Sequence, residues 1–315
     1  MIRIFNIGLL LSVLLGGVLL PGPIGSQEIH QEKRIEKLIA EGEKWLYAFD
    51  VFDHLYRTEK VLSEIEMIDP NHPYIHWGRA RVAFWKKEFF YILDSNEKAR
   101  LYETAKLALS DECHTHSDRC IELAPKNAEC HLMKGVCYAM QASTWGQSLK
   151  TLRVLKSMDH EFALATELRS EFRHLGDITT RDLGLILRGI LFRLMPDSWW
   201  FRFFAGIRGN KENAYGWMKE GFHGRLTKEP VTVLEMGATS ICYGIEEKKQ
   251  KLIRKGTSLL ENGLKLPSRY QLDDLDKRNM MIMIEHPEKA CSYRRERFEE
   301  ISQKSLEDGI RSDKD

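Results

Sequence analysis

Cys113, His114, His116 and Cys120 fall in one short stretch, and thiolate and imidazole are ligands that zinc favours. On a helix, Cys113, His116 and Cys120 at i, i+3 and i+7 share a face. A structural zinc site closes with about four converging ligands, commonly from paired Cys-x-x-Cys elements, and the chain has no such pair. No metal is therefore expected at this cluster. The second stretch with chemical potential is residues 181–209, RDLGLILRGILFRLMPDSWWFRFFAGIRG. Leu183, Ile186, Leu187, Ile190, Leu191 and Leu194 recur on one helical face. Pro196 stops that helix, and Asp197 or Ser198 can cap the next.

The residues that follow are aromatic and basic. One reading makes them a buried hairpin corner, since aromatic stripes at helical spacing usually belong to a core. The other makes Arg188, Arg193, Trp199, Trp200, Phe201, Arg202, Phe203 and Phe204 a binding surface. Such a surface suits an apolar small molecule, a membrane interface or an oligomer partner.

Other chemistry is missing. The chain has no phosphate-binding Gly-x-x-x-x-Gly-Lys-Ser/Thr loop, no Gly-x-Gly-x-x-Gly, no Gly-x-Ser-x-Gly and no His-Glu-x-x-His. Glu64 and Glu66, two apart, do not face each other on a helix. No catalytic residue, cofactor or enzymatic activity is expected. With 47 Lys+Arg against 46 Asp+Glu the net charge is +1, and no basic stripe points to nucleic acid.

The elements that must carry these residues read as helices throughout. Hydrophobic residues make up 43% of the 315, with only 9 Pro and 22 Gly, a globular composition. Residues 1–26 differ from the rest. Arg3 precedes an apolar run at 7–20, then Pro21, Gly22 and Pro23, then small residues at 25 and 26. That is the layout of a secretory signal peptide, and the run is short for a spanning helix, which needs roughly 20 residues. The expectation is an exported protein, periplasmic or secreted; the alternative is an anchor formed by residues 7–20.

Two segments then resemble one another: VLSEIEMIDPNHPYIHWGRARVAF at 61–84 and RCIELAPKNAECHLMKGVCYA at 119–139. In each, a helix ends at a proline (Pro70, Pro125), a polar pair turns the chain, and a new helix starts. This is the junction of helix–turn–helix repeats of the tetratricopeptide (TPR) type. Gly135 falls where such a repeat wants a small residue. Cys113, Cys120, Cys130 and Cys137 also take small packing positions, where cysteine serves as a small hydrophobe. Partners seven residues apart on one helix are too distant for a disulfide. A bond between helices, such as Cys120–Cys137, remains open. A third helical pair is expected at about 145–174. Further helices are expected at 231–246, 248–266 and 272–284, with Gly256 and Gly263 at close-packing positions. The fold expected is all-α, a right-handed stack of TPR-like helical hairpins (an α-solenoid). It occupies residues 27–290, with a charged tail at 291–315.

The order of the pieces carries a closer likeness. WGRARVAF at 77–84 comes first, followed by a long helix to CIELAPKNAECHLMKGVCYA at 120–139. Then come LRGILFRLMPDSWWFRFFAGIRG at 187–209 and LLENGLKLPSRYQLDDLDKRNM at 259–280. This order resembles the regulator of microtubule dynamics family. It is also similar to the T-component (accessory) proteins of bacterial tripartite periplasmic (TRAP) transporters. The likeness implies a non-enzymatic helical-repeat protein that binds a protein partner or passes an apolar ligand. The T-components are usually lipoproteins, and this chain has no cysteine after its apolar run to take a lipid.

Overall fold

The computed structural model describes residues 24–46, 52–93, 99–146, 148–170, 178–294 and 297–298. These are almost all helical. In order they form α1 (Ile24–Leu46), α2 (Phe52–Ile68), α3 (Pro73–Leu93), α4 (Ala99–Leu123), α5 (Ala128–Trp145) and α6 (Leu149–Glu167). Then follow α7 (Thr180–Leu194), α8 (Trp199–Ala205), α9 (Lys211–Gly221), α10 (Pro230–Glu246), α11 (Gln250–Leu264) and α12 (Gln271–Glu285). The strand content among the described residues is a two-residue antiparallel pair, Tyr293–Arg294 with Arg297–Phe298, and one isolated bridge between Asn127 and Arg169. The all-α expectation holds. The expected signal peptide lies almost wholly outside the described residues, as does the tail beyond residue 298.

Local chemistry sets the helix ends. Asn127 follows Pro125 and accepts from the Glu129 backbone N–H, capping α5. Gly146, at φ +62°, then ends that helix. A single helix, α6, is described where a helical pair was expected at 145–174, and residues 171–177 of that span lie outside the description. Thr179 and Asp182 form a reciprocal capping box at the start of α7. Asp273 supplies the acidic half of such an arrangement at the start of α12, its carboxylate accepting from the Arg269 and Tyr270 N–H groups. Ser198 precedes α8 but caps it with backbone alone.

Helices pack mainly on their neighbours in sequence, α1 on α2, α3 on α4, α4 on α5, α5 on α6 and α10 on α11. Contacts also reach the helix after next, as α3 touches α5 and α5 touches α7. The apolar interior follows that order. Val136 joins the cluster of α1–α5 to that of α5–α8, and Leu183 and Phe222 carry it on to α10–α12. Gly256 shows how tightly α11 meets α10: a Cβ there would lie 2.8 Å from the Gly237 carbonyl and 2.6 Å from Ile241. A methyl group at either helix would push the backbones apart.

All six cysteines are paired: Cys113–Cys137, Cys120–Cys130 and Cys242–Cys291. The first two differ from the Cys120–Cys137 bond offered as an example. The helices α4 and α5 run in opposite directions from the turn at Pro125. The cysteines nearest the turn therefore face each other, and so do the two farther out, with Cα separations of 5.4 and 5.5 Å. The cysteines do fill close-packing positions, but as crosslinks. The third bond ties Cys291 to α10, and Tyr293 beyond it is fully buried. Among the described residues no helix is long and apolar enough to cross a membrane. Three disulfides are compatible with export to an oxidising compartment.

Candidate functional site

The helices α5, α6 and α7 each turn an apolar face toward a shared space. Val136, Ala139, Met140 and Ser143 on α5 follow i, i+3, i+4, i+7. Leu152, Leu155, Met158 and Phe162 come from α6, and Leu187, Ile190, Leu191 and Leu194 from α7. Phe84 of α3 closes one side, and Met195 and Phe201 at the α7–α8 corner close another. Together they line a half-open cavity of about 360 Å3, inside the range of small-molecule sites. An apolar wall offers water few hydrogen bonds, so the space suits an apolar guest.

A few polar groups break the wall. Lys87, 1% exposed, donates to Ser143 Oγ at 2.5 Å, and Glu88 beside it is buried. Thr151, Glu235 and Arg294 also reach the lining. A small number of fixed polar groups in an apolar wall is the pattern that orients a ligand. Sequence reading missed Lys87 and Glu88. The available signal was a Lys-Glu pair inside the otherwise aromatic stretch of α3, FWKKEFF.

The apolar stripe of α7 divides between two surroundings. Leu187, Ile190, Leu191 and Leu194 line the cavity, while Ile186 packs with Met218, Leu226 and Met236 on the far side. Two arginines of α7 hold helices together. Arg188 Nε donates to Asp159 Oδ1 at 2.8 Å, and its guanidinium lies 4.2 Å from the Trp217 ring centre. Arg193 is buried. It donates to Glu235 Oε2 (2.6 Å) and to the carbonyls of Ala290 (2.8 Å) and Tyr293 (3.0 Å).

The aromatic residues of α8 split between inside and outside. Phe201 is fully buried in the cavity wall, whereas Trp199 and Phe203 are each 78% exposed, and Arg202 is exposed between them. The side chains of Trp200 and Phe204 lie outside the described residues. Burial and exposure are thus combined in one short helix. Gly206, at φ +73°, ends it in the left-handed conformation and sends its N–H back to the Arg202 carbonyl. Lys211 donates to the Met195 carbonyl at 2.6 Å and fixes the corner; burial pulls its ammonium down to about 8.

The Cys/His cluster is dismantled by the disulfides, which consume Cys113 and Cys120. His116 instead meets His76, Nδ1 to Nδ1, at 3.2 Å. One nitrogen donates and the other accepts, so the pair cannot be doubly protonated in this geometry. Burial, then the nearby His76 and Arg79 charges, pull His116 down to about 4. A second, polar cavity of about 260 Å3 lies beside it, with Arg79 paired to Glu66 and Glu59 to Lys86. Among the described residues, no three of His, Cys, Asp and Glu converge as metal ligands. Comparison of the chain with known protein families and with curated proteins finds no match.

Proposed function

We propose that the chain is an exported, non-enzymatic binding protein whose ligand is an apolar small molecule held between α5, α6 and α7. The single observation that carries this reading is the apolar cavity of about 360 Å3 with its few fixed polar groups. The helices are read as a right-handed stack of TPR-like hairpins. The support is that α1 to α7 each pack on the next helix in the chain, and that α1 reaches α3, α3 reaches α5 and α5 reaches α7, as in stacked repeats. The likeness to transporter T-components, the leader-like residues 1–26 and the paired cysteines favour an accessory role in solute uptake from an oxidising compartment. In that role a protein partner or further copies of the chain take up the ligand. The chain then acts as a carrier or scaffold.

The test is titration with N-phenyl-1-naphthylamine, which fluoresces when it leaves water. The parent should bind saturably with about one site per chain, the count a single pocket of this size allows. Ala139→Trp, which places an indole in the cavity from a partly exposed position, should abolish binding and leave the helical signal intact. Saturable binding that A139W leaves unchanged would place the apolar site elsewhere.

A further inference from the structure

We infer that α8 docks on an anionic lipid bilayer and that the adjoining cavity receives its apolar ligand there. This rests on the cavity being the ligand site. Trp199 and Phe203 stand one turn apart on α8, each 78% exposed, with the exposed Arg202 between them. A short helix that turns aromatic rings outward beside cations has the make-up of an interfacial element. Its rings enter the headgroup boundary while its cations stay among the phosphates.

The surroundings supply the charge complementarity. The helix α6 packs against α8, and Arg153 and Lys156, one turn apart, are exposed on it. The Lys156 stem lies against the C-terminal end of α8, with its Cδ 3.1 Å from where a Gly206 Cβ would be. The carboxylates of α6 nearest them are engaged elsewhere, Asp159 with Arg188 and Glu161 with His131. Arg208 faces Asp197 at 3.5 Å, so it adds little. A chain whose net charge is only +1 thus carries Arg202 beside two exposed rings on α8, Lys156 against the end of α8, and Arg153 one turn from Lys156 on the helix packed against it. A second copy is a poorer occupant: a two-fold contact would bring the same cations face to face. An anionic bilayer meets both the rings and the cations. The same helix buries Phe201 in the cavity wall, so α8 separates the docking surface from the ligand space by one helix.

The experiment measures quenching of tryptophan fluorescence in the full chain by vesicles whose acyl chains carry bromine. It reads ring–bilayer contact at α8 whatever else holds the chain near the vesicle. Vesicles containing phosphatidylglycerol should quench, and phosphatidylcholine alone should not. Trp199→Phe should remove the quenched component. The triple change R153E/K156E/R202E should raise the lipid needed by roughly tenfold or more, as expected for cations near a charged surface. Equal quenching on neutral vesicles, or quenching that W199F leaves unchanged, would overturn the proposal. So would a fall in oligomer mass in W199S/F203S by native mass spectrometry, which would make a second copy the occupant. Naphthylamine binding in vesicle-free buffer separates the two readings. If the parent fails to bind the dye, the cavity reading falls whatever the vesicles show.

Discussion

Arg193 carries a full charge into the interior and uses it to fasten residues 290–293 to α7 and α10. Its partners are the Glu235 carboxylate and two backbone carbonyls, all inside the protein. Arg193→Met removes the buried cation that Glu235 and the two carbonyls share, which should cost about 3–5 kcal/mol in urea unfolding. The double variant R193M/E235L should recover much of that loss, because the buried carboxylate is removed together with the cation and apolar side chains take their place. The sequence places Arg193 off the apolar stripe of α7. It does not reveal a partner 42 residues away or carbonyls farther still. Histidines give two pH effects of opposite sign. His116 is pulled down to about 4 by burial and by His76 and Arg79, so the unfolded chain binds its proton first. Its contribution is present above about 6.5 and is lost as pH falls toward 4. Burial pulls His131 down too, but its bonds to Glu161 (2.7 Å) and the Pro125 carbonyl (2.9 Å) raise it overall. Its contribution is present below about 6.5 and is lost as pH rises through the higher folded value. Relative to the parent, H116N should therefore flatten the acid limb of stability against pH, and H131N the limb that falls as pH rises above about 6.5. Unfolding midpoints across pH 4–9 read both.

At the scale of elements, prolines and polar pairs made several helix boundaries legible, though not α9. Pro70 and Pro125 separate α2 from α3 and α4 from α5, and Pro230 opens α10. The stretch around α6 was harder, because its ends depend on Gly146 and Ser148 rather than on a proline. The cysteines show a different limit. Their small-residue positions were readable, and so was the exclusion of bonds within one helix. The pairing needed the register of α4 against α5, which the turn at Pro125 sets in space. The chain-entropy argument orders the crosslinks. Removing Cys120–Cys130, ten residues apart, as C120A/C130A should cost about 3 kcal/mol, and removing Cys242–Cys291, 49 apart, as C242A/C291A about 4 kcal/mol. Denaturant midpoints of the two variants check the order. The larger loss at C242A/C291A should come with release of Tyr293, seen as a gain in near-ultraviolet tyrosine exposure.

At the scale of the whole molecule, the cavity belongs to no single segment. Its lining runs from Phe84 to Arg294, and no local pattern in the sequence marks that convergence. The apolar stripe of α7 was visible, but a stripe does not say whether it meets side chains or an open space. The aromatic segment at 199–204 was visible too, and its division into an inner Phe201 and outer Trp199 and Phe203 needed the position of α6. The proposed ligand site therefore depends on how the helices stack. The most direct test of that account is native mass spectrometry on the purified chain, with the A139W variant alongside. The account predicts a small apolar mass that leaves the parent only on activation and is missing from A139W. A parent without added mass that also takes up no naphthylamine would contradict it.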